Sequence, residues 1–254
     1  MKVFNDYARY YDLLYRDKDY QAETAFIVSL LNNHSPQARF VLEMGCGTGI
    51  HAKLMAEAGY DVMGIDLSET MLISANERKL GLAQKLRARL NFALGDIRTY
   101  RASKKFDVVL SLFHVFSYQT SNKDLSAAFQ TANEHLDPGG ILIFDYWYGP
   151  AVLSQRPETR VKRISDDDLS IVRIAESHMD DIRSTVQVNF ETTIRTSKLT
   201  DVITETHVMR YLFVPEIELL AAAHGLEAIA HQEWLGSGTL SAGSWSGCSV
   251  LRKR

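Results

Sequence analysis

Cysteine is scarce in this chain of 254 residues: Cys46 and Cys248 are the two it has. They stand far apart and without metal-ligand spacing, so neither a disulfide framework nor a cysteine-held metal is read here. Both are read as reduced, Cys46 serving as a small residue in a tight loop. An excess of positive charge is missing too. A net charge of -3 and a pI near 6.2 argue against a nucleic-acid groove, which depends on clustered cations to neutralise phosphates. No apolar run reaches the roughly 18 residues that a membrane span needs. The first residues carry Lys2, Asn5, Asp6 and Arg9 where a secretory signal would have its apolar core. The expected compartment is therefore the cytoplasm, with neither membrane nor nucleic acid as partner. Internal repeats and low-complexity tracts are absent. The Asp166-Asp167-Asp168 triplet has no histidine or further carboxylate at ligand spacing and reads as a solvated turn, so no metal site is expected.

What the chain does have is the composition of an ordinary globular enzyme, and length enough for one α/β domain with a sizeable core plus an insertion. Its most telling stretch is Val41 to Gly49, V-L-E-M-G-C-G-T-G. The apolar Phe40-Val41-Leu42 reads as a buried parallel strand, glycines follow at positions 45, 47 and 49, and a helical pattern opens near Ile50. Glycines at alternate positions imply that something is held against bare backbone, although an ordinary strand-to-helix turn accounts for the triplet taken alone. A dinucleotide fingerprint needs its third glycine three residues after the second, and that position holds Ile50. A second strand, Asp61 to Ile65, ends at Asp66, the carboxyl end where ligands bind in an open parallel sheet. An acid about 20 residues beyond the glycines is suited to accept both hydrogen bonds of a ribose diol. The structural alternative for Asp66 is a helix N-cap, which Ser68 can fill equally well.

Further strands read at Leu90 to Gly95, ending in Gly95-Asp96-Ile97, and at Phe106 to Ser111, followed by Leu112-Phe113-His114. Leu136-Asp137-Pro138-Gly139-Gly140 then leads into Ile141-Leu142-Ile143-Phe144. Taken in this order, the five markers resemble those of class I S-adenosylmethionine-dependent methyltransferases. The resemblance implies an α/β fold, a Rossmann-like seven-stranded sheet, with S-adenosyl-L-methionine as cofactor and S-adenosyl-L-homocysteine as product. It assigns to the cofactor Tyr11, Glu43, Gly45, Cys46, Gly47, Gly49, Asp66, Leu67, Met71, Asp96, Ile97, Leu112 and Phe113. In that assignment the Asp96 carboxylate takes the adenine amino group, Ile97 packs on the ring, and Leu112 to His114 lie near the sulfonium. The final turn and strand correspond to the family's fifth strand.

After Gly149 the pattern changes. Val186, Val188, Phe190, Thr192 and Ile194 alternate at a period of two, as do Ile203, Glu205, His207, Met209 and Tyr211, with a shorter β-like stretch from Leu169 to Ile174. The chain thus divides into amino-terminal helices and cofactor core (1–148), an antiparallel β insertion after the fifth strand on the acceptor side (149–213), and a carboxyl-terminal helix with the last two core strands (214–254). The glycine- and serine-rich connection holding Gly236, Gly238, Gly243 and Trp245 reads as a mobile hairpin loop, with a substrate-facing loop as the alternative. At the amino terminus, helical spacing puts Tyr7, Tyr11 and Tyr15 on one face, either as a packing stripe or as a lid over the cofactor.

Tyr11-Asp12-Leu13-Leu14-Tyr15, Lys18-Asp19-Tyr20, the Ser111 to Tyr118 segment and the insertion resemble the small-molecule methyltransferases that N-methylate dTDP-linked amino sugars. The resemblance implies a small-molecule acceptor, a nucleotide-linked amino sugar methylated in line, with a homodimer left open as the assembly. His114 stands where those enzymes are expected to have a small residue. The catalytic candidates are His114, a histidine able to accept a proton near neutral pH, and Tyr15, the latter if the lid reading holds. Arg156, Arg160 and Lys162 form a basic cluster that either faces a diphosphate or lies on a solvated strand face. The rival readings are an O- or N-methyltransferase of another metabolite, a module that binds S-adenosylmethionine without turnover, and an NAD-dependent sugar enzyme. The last shares the glycine loop and Asp66 but lacks the third glycine.

Overall fold

A computed structural model of the chain describes residues 8–166, 169–197 and 200–254. Two helices come first, α1 (Ala8–Leu14) and α2 (Tyr20–His34); Asp19 starts the second by accepting a 2.8 Å hydrogen bond from the Ala22 N–H. Strand and helix then alternate through β1 (Phe40–Met44), α3 (Ile50–Glu57), β2 (Asp61–Asp66), α4 (Glu69–Leu80), the short α5 (Gln84–Arg87), β3 (Leu90–Leu94) and β4 (Phe106–Ser111). A 3-10 turn (Val115–Tyr118) and α6 (Asn122–His135) lead into β5 (Leu136–Trp147). After α7 (Gly149–Gln155) come β6 (Arg160–Asp166), β7 (Leu169–Asp180), β8 (Thr185–Thr196) and β9 (Thr200–Arg210). The chain closes with α8 (Val214–Ala223), β10 (Leu226–Glu233) and β11 (Ser246–Lys253).

Seven strands form one sheet in the order β10-β11-β5-β4-β1-β2-β3. β3, β2, β1, β4 and β5 run parallel, whereas β11 is antiparallel to both β5 and β10. The near-continuous apolar runs of these strands follow from burial on both faces. Leu42, Met44, Val109, Leu142 and Phe144 pack one way with Phe129 of α6 and Ile217 of α8; their neighbours Val41, Val108, Leu110, Ile141 and Ile143 pack the other way with Ile27 of α2 and Met55 of α3. Strand order reverses between β1 and β4, which opens a crevice at the carboxyl ends of the strands, the usual ligand position in such sheets. No helix among the described residues is long and apolar enough to cross a membrane.

The insertion is a second, wholly antiparallel sheet, β6-β7-β8-β9. It packs onto the core through Ile164, Ile171 and Ile194 against Leu14 of α1 and Met71 of α4, while Val186, Val188 and Tyr211 pack on Val152 of α7 within the insertion itself. Two features depart from the sequence reading. β6 was not expected, because Arg160 to Asp166 has its two apolar residues, Val161 and Ile164, three apart rather than two; this charged strand lies at the sheet edge and pairs on one side only. β5 begins at Leu136, so the expected turn at Pro138-Gly139-Gly140 is an irregularity inside a long strand, with Gly139 at φ 79° and a register shift against β4. Asp166 ends β6, while Asp167 and Asp168 of the aspartate triplet, like Tyr7, lie outside the described residues.

Candidate active site

The loop between β1 and α3 is shaped by three glycines in the left-handed region, at φ 80°, 54° and 75° for Gly45, Gly47 and Gly49. Each has a different neighbourhood. A Cβ on Gly45 would come within 2.6 Å of the Val115 side chain, and one on Gly49 within 2.8 Å of Phe92, so these two are fixed by packing. A Cβ on Gly47 would meet nothing within 4 Å, because its backbone borders open space. Beyond Gly49 the first turn of α3 leaves backbone N–H groups without helical partners, a favourable place for an anion.

Two acids stand at neighbouring strand ends. Asp66 accepts hydrogen bonds from the Gly47 and Ser68 N–H groups, both at 2.8 Å. Burial raises its carboxyl above the ordinary range, opposed by the backbone N–H groups of Ser68, Gly47 and Leu67. Asp96, past the end of β3, is gripped by Arg98, whose Nε lies 2.9 Å from Oδ1 and whose Nη2 lies 2.5 Å from Oδ2. That fork lowers the Asp96 pKa despite partial burial, and the same guanidinium reaches Asp124 at 3.0 Å. Glu43 is different. It is only 2% exposed, and burial above all, with the Asp66 charge adding to it, pushes its carboxyl up to about 8.

Beneath the loop, Glu23 of α2 accepts from His51 Nε2 at 2.7 Å and from Lys18 and Trp234. Burial alone would raise the pKa of Glu23, but His51 and Lys18 together bring it down to about 2. Above the loop lies α1. Asp12 accepts from Thr48 Oγ1 at 2.7 Å and from Arg78 Nη2 at 2.5 Å, tying the helix to the core. Lys162 of β6 donates to the Leu14 carbonyl at 2.5 Å, tying it to the insertion. Tyr15 packs edge-on against Phe113 with 4.9 Å between ring centres, and Tyr11 lies 4.9 Å from Tyr15.

After β4 the backbone turns sharply: Phe113 and His114 both adopt left-handed φ, 65° and 63°. For non-glycine residues this is a strained conformation of the kind that collects at functional sites. The Asp145 carboxylate, 1% exposed within β5, holds the turn in place. It accepts the His114 N–H at 3.1 Å and lies 2.7 Å from Nδ1 of the same imidazole. Trp147 packs edge-on to His114 at 68°, and Trp245 to Trp147 at 63°.

These groups surround one cavity of about 690 Å³ between the core and the insertion sheet. Its core wall includes Gly45, Gly47, Asp66, Leu67, Met71, Asp96, Ile97, Leu112, Phe113 and His114; Tyr11 and Tyr15 roof it; Arg173, Phe190, His207 and Met209 form the insertion wall.

Residues 41–140 match a family profile described as a methyltransferase domain. Over 244 residues, 95% of this chain and 97% of the relative, the sequence is 29% identical to dTDP-3-amino-3,4,6-trideoxy-alpha-D-glucopyranose N,N-dimethyltransferase of Streptomyces venezuelae. A second relative, dTDP-3-amino-3,6-dideoxy-alpha-D-glucopyranose N,N-dimethyltransferase of Streptomyces fradiae, is 31% identical over 56% of this chain and 54% of its own length. The crystal structure of DesVI from Streptomyces venezuelae superposes with a TM-score of 0.82 at 26% identity, covering 98% of both chains. The chain is an S-adenosylmethionine-dependent methyltransferase. Its residues fit that cofactor: bare backbone borders the cavity at Gly47, an acid stands at the end of β2, and an apolar residue, Ile97, follows the acid past β3.

Twelve of the candidates read from the methyltransferase sequence border the main cavity, including both catalytic candidates, His114 and Tyr15. Cys46 instead borders a small adjoining cavity, about 30 Å³, together with Tyr20 and His51. Glu43 and Gly49 border neither cavity: Glu43 is buried under the loop, and Gly49 caps α3 against Phe92 and Ala75. The basic cluster is split. Arg160 and Lys162 reach the cavity wall, whereas Arg156 forms an exposed ion pair with Asp181. Trp245, in the connection read as a mobile hairpin loop with a substrate-facing loop as the alternative, lines the cavity. Asp145, Arg173, Tyr118 and His207 were missed. The alternation through β9 had placed His207 on one face with Glu205 and Met209, and a polar residue on an otherwise core-facing stripe was the available signal.

Proposed function

We propose that this methyltransferase transfers a methyl group to the amine of a nucleotide-linked amino sugar. The observation that carries the reading is the continuous cavity, whose cofactor wall is the core loop and whose far wall is the insertion sheet. The full-length relative and DesVI extend over that insertion as well as the core, and the relative's name specifies a dTDP-linked amino sugar. In this reading the Gly45–Gly49 loop and the first turn of α3 hold the amino-acid end of the cofactor. Asp66 takes the ribose hydroxyls, and Asp96 with Ile97 holds the adenine. Bound S-adenosylmethionine supplies an electrophilic methyl on a sulfonium.

The work of the protein is chiefly positional, since fixing two reactants in line removes about 7–11 kcal/mol of barrier. Phe113 and Tyr15 exclude water around the reacting atoms. His114 serves as the proton acceptor. The Asp145 charge 2.7 Å from Nδ1 favours the tautomer protonated there, which leaves Nε2 to take the proton that the acceptor nitrogen must lose. The Arg160, Lys162 and Arg173 cations of the insertion face the diphosphate.

The test is incubation of the purified protein with methyl-labelled S-adenosylmethionine and a panel of dTDP-linked amino sugars, each paired with its hydroxyl counterpart. Label is expected on the amino sugars and not on the hydroxyl forms. Transfer to the hydroxyl forms, or cofactor binding with no transfer to any member of the panel, would sink the reading.

A further inference from the structure

Neither methyl transfer nor acceptor binding uses Arg98, yet it borders the cavity beside Asp96 and Ile97. Its backbone N–H and its Nε both lie 2.9 Å from Oδ1 of Asp96. Nε also reaches Oδ2 at 3.1 Å, and Nη2 lies 2.5 Å from that oxygen. The third nitrogen, Nη1, donates to Oδ1 of Asp124 at 3.0 Å, in the first turn of α6, and Asp124 accepts from the Ser121 hydroxyl at 2.7 Å as well. One guanidinium thus ties the end of β3 to the start of α6.

Neither end needs this fork to keep its shape. The turn past β3 is closed by the main chain, the Thr99 and Tyr100 N–H groups donating to the Asp96 carbonyl at 3.0 and 2.8 Å. The start of α6 is capped by Ser121, whose hydroxyl accepts the Asp124 N–H at 3.0 Å. The Arg98–Asp96 pair, with side chains 34% and 21% exposed, is of the partly exposed kind that contributes little to stability. What the fork does fix is the carboxylate. An ionised carboxylate offers about four acceptor sites. Arg98 fills all but one of them with its backbone N–H, Nε and Nη2, and the one left is on Oδ2. The side-chain bond to Arg98 above all holds the Asp96 carboxyl below its ordinary range, so the remaining site accepts and does not donate. Without the fork the carboxylate is free to turn about its side-chain torsions, and a ligand has to pay for fixing it.

We propose that Arg98 is a positioning residue that presets Asp96 as an acceptor for the cofactor's adenine amino group and so makes the pocket select against purines lacking that group, an inference that rests on the assignment of Asp96 to adenine. Asp96 makes the contact, and Arg98 acts through it. A site preset to hydrogen-bond an N–H rejects the analogue lacking it, because its acceptor is then left unpaired.

The test measures, by calorimetry on the purified protein, the affinity for S-adenosyl-L-homocysteine and for its 6-deamino analogue, in which hydrogen replaces the adenine amino group. The parent is expected to bind the analogue about 10-fold more weakly, the loss of one hydrogen bond to a charged group. Arg98→Ala should shrink that gap several-fold by weakening S-adenosyl-L-homocysteine more than the analogue. Arg98→Lys, which keeps the charge but not the fork, should keep only part of the gap. A residue that served folding alone would weaken both ligands by one factor. A parent-sized gap in Arg98→Ala therefore overturns the inference, and its loss in Asp96→Ala in the same series leaves the adenine assignment standing. Should Arg98→Ala fail to fold, Arg98→Lys decides by the same criterion. If the parent binds the two ligands equally well, the assignment of Asp96 to adenine fails and takes this inference with it.

Discussion

The two walls of the cavity are built on different principles. The cofactor wall is local and made largely of backbone: its residues come from strand ends and the loops just after them, and most are fixed by what the main chain must do there. The wall proposed for the acceptor is assembled from side chains that the sequence scatters widely: Tyr15 from the roof, His114, Trp147 and Trp245 from the core, and Arg173 and His207 from the insertion. Recognition written into backbone resists change, because altering it disturbs the sheet. Recognition written into side chains on a sheet face can be exchanged without touching the strands beneath. One sheet can thus keep one cofactor while its acceptor varies.

If the walls are separable, a change on one should leave the other's ligand bound as before, and the largest test is at the seam. His114→Ala is expected to lower turnover by up to about 10⁴ with S-adenosylmethionine affinity nearly intact, the signature of a group that acts in the transition state. Asp145→Asn should share part of that loss, since it orients the same imidazole. A parallel fall in cofactor affinity, seen by calorimetry on the folded variants, would move His114 to the cofactor wall as a packing residue.

Within the cofactor wall, Gly45→Ala sharpens the distinction between backbone and side chain. A left-handed non-glycine conformation costs about 1–2 kcal/mol, and the collision with Val115 adds about 1–3 kcal/mol of overpacking. Melting temperature and cofactor affinity should fall together. Gly47→Ala, with nothing near its Cβ, should lower affinity with a smaller change in melting temperature. Equal melting losses in the two variants would show that the loop is not built as described.

Asp66→Ala should weaken the cofactor by about 1.5–3 kcal/mol, the worth of hydrogen bonds to a charged group. Asp96→Ala should cost less, because the Arg98 fork already occupies both carboxylate oxygens. Equilibrium dialysis ranks the two, and the reverse order would exchange their roles.

The smallest effect concerns stability against pH. Glu43 has its folded pKa raised to about 8 from an ordinary value of 4.5, so the folded state binds the extra proton between those limits. Its contribution is complete below 4.5 and is lost as pH climbs to about 8. Glu43→Gln should flatten the decline of melting temperature over that interval; an unchanged slope would mean that Glu43 is ionised in the fold. Glu23 works in the opposite sense, its stabilisation present above the ordinary carboxylate range and lost as pH falls toward 2.

Legibility in the sequence follows the same division. Gly45, Gly47, Asp66 and Asp96 could be read because a turn that needs positive φ, or a strand that ends in an acid, leaves a mark within a few residues. Asp145 left a fainter one, an acid inside the buried run Ile141 to Trp147, where only a close partner justifies its charge. Its partner is His114, 31 residues earlier, and no local pattern names that pairing. β6 was illegible for a related reason: as an edge strand it needs no regular apolar face, so its charged residues broke the alternation. Glu43 and Gly49 are motif positions that border neither cavity. They hold up the loop from below.

The clasp on α1 has a consequence for timing. This seven-residue helix carries Tyr11, with Tyr15 just past its end, over the cavity and is fastened by the Arg78–Asp12 ion pair, whose side chains are 27% and 47% exposed. Partly exposed pairs of this kind weaken as dissolved salt screens them. Release of spent cofactor from beneath the two tyrosines is therefore expected to quicken as ionic strength rises, which release rates measured at low and high salt would check.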